Sequence, residues 1–432
     1  NKFATSCQNL TDCPNNRLLY KHKYVIHILK IKKPHMHAAL RTLFLRHLAQ
    51  TSPAPMALEI ERAAGCYLYD RQGKAYLDLI AGIGVSVLGH RHPRVETAVR
   101  DQLERYWHTL VYGEYVLAPQ VLLAERLSQL LPGLDAVYFV NSGTEATEGA
   151  MKLAKRATGR AKIAACKYAY HGSTQGAASL MWPPDFTLPY HPLLPGIEHI
   201  DFNDDEAFVN IDGQTAAVIV ETIQAESGIR LPRPEWLQAL RRRCNETGAL
   251  LILDEIQAGY GRTGSLFAFH RYGIQPDILL LAKGFGGGMP IGAFVASQTL
   301  MSVLSHNPPL GHITTFGGHP VCAAAALATL EVLTTTDLIA QVAGKEALFR
   351  QRLVHPLIRE VRSAGLWMAV DTGDAAVVRQ VIDYCVEAGL ITDWFLFNDQ
   401  SLRIAPPLTI ENEEIEHACA ILLAALNTIS PA

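Results

Sequence analysis

Six short apolar runs between residues 134 and 300 constrain the fold of this chain more than any other feature. Each has the length of a β-strand, and stretches with helical spacing separate one run from the next. The runs lie at residues 136–140, 162–166, 216–220, 249–255, 277–282 and 292–297. Because strands that alternate with helices are typical of α/β proteins, we expect a sheet covered by helices.

The sequence after residue 325 has a different pattern, and it predicts a second, smaller domain. At 432 residues the chain is longer than one ordinary domain. We therefore expect a large domain over residues 86–325 and a small α+β domain that combines residues 36–85 with residues 326–432. Within the last hundred residues the pattern predicts a helix after GGHP, a strand at residues 367–371, a helix near residues 377–389 and a closing helix from about Asn412.

The charge distribution argues against a nucleic-acid partner. The chain has a formal net charge of -3, and residues 1–35 hold seven basic residues and one acid. Because those residues contribute +6, the remainder carries -9, and an acidic surface binds polyanions poorly. No apolar stretch reaches the length of a transmembrane helix, so we expect neither a nucleic acid nor a membrane as a partner.

Eight cysteines are scattered along the chain with neither zinc-ligand spacing nor a compact disulfide framework. Such a distribution predicts no metal site, and it favours a reducing compartment such as the cytoplasm.

Residues 1–35 differ in character from the rest of the chain. They are polar and basic, and their apolar segment is too short for the core of a signal peptide. From Met36 the sequence predicts an amphipathic opening helix, so we interpret residues 1–35 as a non-native or disordered extension. A basic organelle-targeting segment is the alternative.

Polar residues come directly after several predicted strands, and open α/β sheets bind ligands beyond the carboxyl ends of their strands. Ser142, Gly143 and Thr144 begin a helical pattern after residues 136–140, and they either cap an ordinary helix or hold a phosphate with free amides and hydroxyls. Asp254 is either satisfied by loop amides or directed at a ligand.

Lys283 ends an unbroken apolar run and precedes four glycines. Its side chain either extends to solvent or is partly desolvated, which lowers the lysine pKa and favours the nucleophilic neutral amine. Pyridoxal phosphate requires an anion site for its phosphate, an amine for its aldehyde and a carboxylate for its pyridine nitrogen. Residues 142–144, which we call the phosphate loop, would supply the anion site. Lys283 would supply the amine, and Asp254 the carboxylate.

Seven motifs succeed one another along the chain: NSGTEATEGAMKLAKRATGR, AYHGST, VETIQAESG, LILDEIQAGYGRTG, PDILLLAKGFGGGMPIGAF, TTFGGHP and LRIAPPL. On these motifs, the sequence from about residue 40 to the end resembles the class III pyridoxal-phosphate aminotransferases, the family of acetylornithine, ornithine and 4-aminobutyrate aminotransferases. The resemblance implies pyridoxal-phosphate fold type I, whose large domain has a mixed, mostly parallel sheet. It also implies transfer of an amino group from an amine or ω-amino acid to a 2-oxo acid.

The resemblance further implies that Lys283 forms a Schiff base with the cofactor and then moves a proton. Asp254 would pair with the pyridinium nitrogen. Thr315 would reach the phosphate of a neighbouring subunit, which implies a homodimer with shared active sites. The other cofactor contacts implied are the phosphate contacts of Ser142, Gly143 and Thr144, the ring stacking of Tyr170, and the position of Gln257 near the ring hydroxyl.

Glu226 and Arg403 correspond to a pair in this family that changes partners during the reaction. The arginine binds the α-carboxylate of an amino-acid substrate, and the glutamate neutralises the arginine when an amine without that carboxylate enters. A guanidinium suits a carboxylate because it can donate two parallel hydrogen bonds.

Ser173 is the main departure from the family pattern, since the named enzymes carry a carboxylate-binding arginine there. A serine makes recognition of a distal carboxylate by this route doubtful and leaves the amino donor open. The cofactor residues are unaffected by the smaller departures, which are Thr147, Thr222, Ala225 and His319. We interpret Arg262 as structural, and His171 and His319 as packing or hydrogen-bonding residues.

Two alternatives to an aminotransferase use the same scaffold. A racemase or aminomutase needs the same lysine and aspartate but returns the nitrogen to its own substrate. A binding or structural protein would keep the fold without the chemistry, yet Lys283, Asp254 and the phosphate loop are all present.

Overall fold

The computed structural model describes residues 37–429, which form two compact units that divide after Glu59. In the first unit the predicted opening helix is present as α1 (His37–His47). The interpretation of residues 1–35 concerns residues outside the described range. The second unit begins at Ile60 and contains the functional residues that the sequence predicts.

The strands of the second unit lie in three sheets. They are β1 (Ile60–Ala64), β2 (Tyr67–Asp70), β3 (Ala75–Asp78), β4 (Ala136–Val140), β5 (Lys162–Cys166), β6 (Ile197–Ile200), β7 (Thr215–Glu221), β8 (Leu250–Asp254), β9 (Ile278–Leu281), β10 (Gly292–Ala296), β11 (Glu360–Ser363), β12 (Met368–Asp371), β13 (Leu390–Ile391), β14 (Asp393–Phe395) and β15 (Asn398–Ile404).

Helices connect and cover these sheets. The α-helices after α1 are α2 (Ala81–Gly84), α3 (Pro93–Arg105), α4 (Ala118–Leu130), α5 (Gly143–Thr158), α6 (Gln175–Ala178), α7 (Pro234–Thr247), α8 (Gln298–Met301), α9 (Pro320–Thr335), α10 (Leu338–Arg352), α11 (Ala375–Ala388) and α12 (Asn412–Asn427). Short 3-10 helices occupy Pro184–Phe186, Leu188–Tyr190, Glu206–Asn210, Ala268–Tyr272, Lys283–Gly286 and Ser302–Ser305.

The largest sheet has seven strands in the order β4-β10-β9-β8-β7-β5-β6. Strand β10 runs antiparallel to β4 and to β9, and the other neighbouring pairs are parallel. The expected mixed, mostly parallel sheet is therefore confirmed. Strands β7 to β10 are almost completely buried, as expected for a sheet with helices on both faces.

The six apolar runs all become strands of this sheet, and β4 and β5 have the predicted bounds. The sequence pattern missed the edge strand β6, whose residues are Ile-Glu-His-Ile. Only Ile200 is fully buried there, so this strand lacks the continuous apolar run that identified the others.

Two four-stranded sheets complete the second unit. One has the order β1-β2-β3-β13, and its parallel pair places Leu390 beside Leu77. The other is antiparallel with the order β11-β12-β15-β14. The predicted strand at residues 367–371 and the predicted helices near residues 377–389 and from Asn412 are confirmed as β12, α11 and α12.

The alanine-rich helix α9 packs against α3 and α4, and its small side chains allow this close approach. Within residues 37–429, no single helix is long and apolar enough to cross a membrane. Only α9 and α10 taken together meet that length and composition, and they are bent by 72°.

Candidate active site

A cavity of about 680 Å³ lies where β7, β8 and β9 end. Its walls contain the last residues of β7 and β8, the residues after β9, and the start of α5. Seven of the ten residues predicted for the site line it, namely Ser142, Gly143, Thr144, Tyr170, Asp254, Gln257 and Lys283. The carboxyl ends of these parallel strands thus bring together groups that are far apart in the sequence.

Lys283 lies two residues after β9 and begins a short 3-10 helix with a left-handed φ of 50°. A lysine is rare in this backbone region, and such strain often marks functional sites. Burial lowers the pKa of Lys283 to about 8, although the Glu226 carboxylate acts in the opposite direction. Its amine makes no hydrogen bond or ion pair with any residue of the described range, so it is available to a ligand.

Asp254 is held by two donors at the end of β8. Its Oδ2 lies 2.7 Å from Nδ1 of His171, and its Oδ1 accepts a hydrogen bond of 2.9 Å from the Ile256 amide. An ionised carboxylate only accepts, so Nδ1 of His171 donates to it. The interpretation of His171 as a hydrogen-bonding residue is confirmed, and its partner is the aspartate itself.

The start of α5 offers unpaired backbone donors to the cavity. Ser142 is the N-cap, and its Oγ accepts a hydrogen bond of 3.3 Å from the Glu145 amide. The amides of Gly143 and Thr144 belong to the first helical turn, which has no intrahelical acceptors for them. Together with the positive end of the helix dipole, these donors suit a phosphate.

Position 143 is occupied by glycine because a larger residue would clash with a neighbouring side chain. A Cβ atom there would come within 2.8 Å of Cδ1 of Ile256, which also lines the cavity. Thr144 adds a hydroxyl at this end of the cavity, 2.8 Å from that of Thr174.

Tyr170 and Ser173 line the cavity together, and their hydroxyl oxygens are 2.8 Å apart. Ser173 occupies the position of the family's carboxylate-binding arginine. Its hydroxyl is therefore already hydrogen-bonded to Tyr170, the residue predicted to stack on the cofactor ring. Among the described residues that line the cavity, Lys283 is the only lysine, and there is no arginine.

Glu226 and Arg403 form a two-point ion pair beside this cavity. Nη1 of Arg403 donates to Oε1 over 3.0 Å, and Nη2 donates to Oε2 over 2.8 Å. Burial opposes ionisation of Glu226, but Arg403 overrides burial and lowers the glutamate pKa to about 2. The pair itself does not line the cavity, and it is linked to the cavity by Gln257, whose Nε2 donates to Oε1 of Glu226 over 3.2 Å.

Thr315 is exposed and does not line the cavity of its own chain. The adjacent Thr314 accepts a hydrogen bond of 3.0 Å from Asn141, which does line it. The role of Thr315 toward a neighbouring subunit stays a prediction.

Glu221 is a cavity residue that the sequence analysis did not identify. It ends β7 and is opposite Asp254 in the parallel register, and no residue in the described part of the chain hydrogen-bonds to its Oε2. Burial and the neighbouring Asp254 raise the pKa of Glu221 well above its ordinary value. The rule that led to Asp254, a carboxylate at the end of an apolar run, also finds Glu221.

Arg262 lies in the interior and donates to the carbonyl oxygens of Leu366 and Pro406. These contacts join the loop after β8 to the C-terminal segment. The interpretation of Arg262 as structural agrees with this position.

The cavity fits pyridoxal phosphate by the chemistry of its donors and acceptors. Its lining contains two first-turn amides, a fixed carboxylate, and a lysine that has no partner within residues 37–429. Glycine at position 143 lets the start of α5, with its amides, lie directly against Ile256 in the cavity lining.

Comparisons with known proteins agree with this chemistry. Residues 48–426 match the family model described as aminotransferase class-III. An acetylornithine aminotransferase from Methanopyrus kandleri is 41% identical over 368 residues, which are 84% of this chain and 92% of that protein. A putrescine aminotransferase from Pectobacterium atrosepticum is 42% identical over 366 residues, 80% of this chain and 77% of that protein.

Solved structures with the same fold include an ornithine aminotransferase from Toxoplasma gondii in which pyridoxal phosphate partly occupies the active site. It has a TM-score of 0.83 and 32% identity, and the match covers 90% of this chain and 93% of that chain. An (S)-enantioselective omega-transaminase from Thermomicrobium roseum has the same TM-score at 28% identity, covering 92% of this chain and 99% of that chain.

Proposed function

The chain belongs to the class-III aminotransferase family, and on that premise we propose a role for each polar residue of the cavity. The protein is a pyridoxal-phosphate-dependent transaminase with pyridoxal-phosphate fold type I. It moves an amino group from an amine or ω-amino acid to a 2-oxo acid. The observation that carries the residue roles is the Lys283 amine, which has no partner among the described residues and lies in one cavity with Asp254 and the first-turn amides of α5.

Pyridoxal phosphate, when bound, supplies a protonated ring that withdraws electrons from the carbon bearing the amino group. Ser142, Gly143 and Thr144 would bind its phosphate, and Lys283 would bind its aldehyde carbon. Asp254, oriented by His171, would keep the ring nitrogen protonated. Tyr170 would stack on the ring, and Gln257 would lie near the ring hydroxyl.

Lys283 would also serve as the proton carrier. With a pKa of about 8, its amine can accept and release a proton near neutral pH, which is the condition for an efficient general base. Lysines with an ordinary pKa near 10.4 are almost entirely protonated at pH 7 and serve this purpose poorly.

Arg403 would bind the carboxylate of the 2-oxo acid. Its two terminal nitrogens have the geometry for two parallel hydrogen bonds, and Glu226 now occupies both. Glu226 would pair with Arg403 while an amine without a carboxylate reacts, and it would leave when the acceptor binds.

We propose that the amino donor lacks a distal carboxylate. Ser173 hydrogen-bonds with Tyr170, and no arginine is found among the described residues that line the cavity. A simple ω-amine or a diamine needs no cation at its far end. The similarity to a putrescine aminotransferase supports donors of this kind.

We also propose a homodimer with shared active sites, in which Thr315 reaches the phosphate bound by the other subunit. Large apolar side chains flank this residue at the surface, with Ile313 50% exposed and Phe316 53% exposed. Trp107 and Val116, from a second surface segment, are also exposed. The two segments meet where the rings of His108 and Phe316 lie 4.7 Å apart. Contiguous exposed apolar surface of this kind is typical of subunit interfaces.

Two further proposals concern location and domain organisation. The described cysteines are all free and buried, which supports a reducing compartment such as the cytoplasm.

The seven-stranded sheet falls within residues 86–325, the range proposed for the large domain. For the small domain, which we propose to combine residues 36–85 with residues 326–432, the supporting contact is the pairing of β3 with β13, and it concerns only the part from Ile60 onward.

A donor screen with purified holoenzyme tests the donor proposal. The panel contains simple amines, diamines, ω-amino acids and acetylornithine, each with 2-oxoglutarate or pyruvate, and the amino-acid product is measured. We expect turnover with amines and diamines to exceed turnover with donors that end in a carboxylate. A strong preference for acetylornithine would contradict the proposal.

The alternative, a racemase or aminomutase, has no support among the similar proteins described above, which are all transaminases. Net formation of an amino acid from an added 2-oxo acid separates the two reactions, because neither a racemase nor an aminomutase transfers nitrogen to a second molecule.

A further inference from the structure

Arg403 has a second carboxylate partner that no family motif indicates. Nε of Arg403 lies 3.0 Å from Oδ1 of Asp393. The N–H is not aligned with that oxygen, so the contact is an ion pair rather than a hydrogen bond. Asp393 begins β14 and is directly opposite Arg403 in the antiparallel register with β15.

The rest of β14 also contacts this guanidinium. The carbonyl oxygen of Trp394 accepts a hydrogen bond of 3.0 Å from Nη2 of Arg403. The ring centroid of Phe395 lies 4.5 Å from the guanidinium carbon, within the range of a cation–π contact. Three consecutive residues of one strand therefore hold Arg403 by its Nε edge, one terminal nitrogen and one face.

Glu226 and Asp393 use different parts of the guanidinium. Glu226 occupies Nη1 and Nη2, which are the atoms that a substrate carboxylate would take. Asp393 contacts Nε alone, so an incoming carboxylate could displace Glu226 without displacing Asp393.

After Glu226 leaves and before the acceptor carboxylate takes its place, Arg403 would otherwise be an isolated charge in the protein interior. The side chain of Arg403 is only 3% exposed, and a buried guanidinium without a counter-ion is strongly unfavourable. Asp393 keeps a negative charge beside Arg403 through the exchange of partners. The state that receives the acceptor is stabilised in this way.

We propose that Asp393 is a positioning residue for the acceptor half of the reaction, which orients and neutralises Arg403 while Glu226 is away and thereby sets the affinity for 2-oxo acids. This inference rests on the proposed role of Arg403 as the acceptor-carboxylate site.

The affinity for the acceptor is expected to depend on pH through the ionisation of Asp393. Burial raises the pKa of Asp393 to about 6, against the effect of Arg403. The other charged groups that act on Asp393 are Glu226 and Asp78, and Asp78 is itself 2.9 Å from His90. Below pH 6 Asp393 becomes neutral, so affinity for the acceptor is expected to fall as the pH decreases through 6.

The two half-reactions of the full-length holoenzyme test the proposal separately. The donor half is followed with an amine alone, and the acceptor half with 2-oxoglutarate added to enzyme that carries the amino form of the cofactor. The variants are Asp393→Ala, Asp393→Asn and Arg403→Ala. Asp399→Ala is the control, because Asp399 is an exposed carboxylate on the adjacent β15, 4.0 Å from Arg379.

We expect Asp393→Ala to raise the apparent Kd for 2-oxoglutarate about tenfold, as for the loss of one contact to a charged group, and to leave the donor half unchanged. Asp393→Asn should give a smaller increase and remove the pH dependence near 6. Inhibition by glutarate, a dicarboxylate that cannot react, should weaken in parallel. Asp399→Ala should behave as the unchanged enzyme in every measurement.

Equal slowing of both half-reactions by both Asp393 variants, or an unchanged Kd in both, would overturn the proposal. Arg403→Ala distinguishes this failure from a failure of the proposed function. If it raises the Kd for 2-oxoglutarate while the Asp393 variants do not, only the role of Asp393 is wrong. If Arg403→Ala also leaves the Kd unchanged, the acceptor site itself has been assigned wrongly.

Discussion

His171 and Asp254 meet at a distance of 2.7 Å between Nδ1 and Oδ2, and both side chains are buried. The second ring nitrogen of His171, Nε2, has no hydrogen-bond partner between residues 37 and 429. The histidine therefore makes one polar contact among the described side chains, and that contact fixes the carboxylate proposed to hold the cofactor ring.

Replacing His171 with alanine is expected to weaken cofactor binding. A hydrogen bond to a charged group contributes roughly 1.5–3 kcal/mol, which corresponds to an increase in Kd of about 10- to 100-fold. Titration of the apoenzyme with pyridoxal phosphate, followed by protein fluorescence, measures this change. His355→Ala is the control, because His355 contacts Asn427 and does not line the cavity. An unchanged Kd for His171→Ala would contradict the role given to this contact.

Replacing Lys283 with alanine is expected to remove the absorbance of covalently bound cofactor and to reduce kcat by roughly 10³-fold or more, since both the covalent attachment and the general base are lost. Absorbance spectra and turnover are measured on the same sample. Lys162→Ala, which removes a surface ion pair with Asp212, serves as the control and should keep both signals. Activity retained by Lys283→Ala would exclude Lys283 as the attachment site.

The rate at which apoenzyme combines covalently with pyridoxal phosphate is expected to rise with pH and to reach half its maximum near pH 8. The nucleophile is the neutral amine, and burial lowers the pKa of Lys283 to about 8, so the reactive fraction increases through that value. Stopped-flow absorbance from pH 6.5 to 11 gives the profile. A midpoint at the ordinary lysine value, near 10.4, would show that burial has no such effect.

Replacing Glu226 with glutamine is expected to lower the free energy of unfolding by about 3 kcal/mol at pH 7, because Arg403 loses its buried two-point partner. The pKa of Glu226 lies near 2, below its ordinary value, so the contribution of the pair is complete above about pH 4.5 and is lost as the pH falls toward 2. The difference between the two proteins should therefore decrease below pH 4.5.

Urea unfolding at pH 7 and at pH 4 measures this difference. Glu360→Gln removes an exposed ion pair with Arg362 and should change the free energy of unfolding by at most about 1 kcal/mol. Equal effects of the two substitutions at pH 7 would show that burial of the Glu226 pair is unimportant.

Replacing Ser173 with arginine is expected to lower the KM for donors that end in a carboxylate by about tenfold, because a guanidinium adds a charged hydrogen bond at that end of the cavity. Steady-state kinetics with acetylornithine and with a simple diamine measure the change in preference. Ser173→Ala removes the contact with Tyr170 without adding a charge, and it should leave the preference unaltered. An identical preference in the two variants would locate donor selection elsewhere.

The sheet that carries the site was predictable because its strands are continuous apolar runs. Strands β4 and β5 have the expected bounds, and Asp254 and Lys283 lie at the predicted strand ends. The edge strand β6 was missed because its polar residues interrupt the apolar pattern.

Contacts that depend on strand register were not predictable from the sequence. Glu221 is opposite Asp254 only because β7 and β8 are parallel and in a particular register. Asp393 reaches Arg403 only because the turn between β14 and β15 brings these two positions face to face. A sequence pattern identifies strands, but a shift of register by one residue reverses the direction of every side chain.

The parallel pairing of β3 with β13 has a consequence for how this protein is made. Leu77 meets Leu390, so the partner of β3 leaves the ribosome only after most of the chain has been synthesised. Until then one edge of β3 has no backbone partner, and an unpaired edge invites association with other chains. Release of a chain that stops short of residue 390 would make that exposure permanent, so premature termination favours aggregation even when every cavity residue up to Lys283 is present.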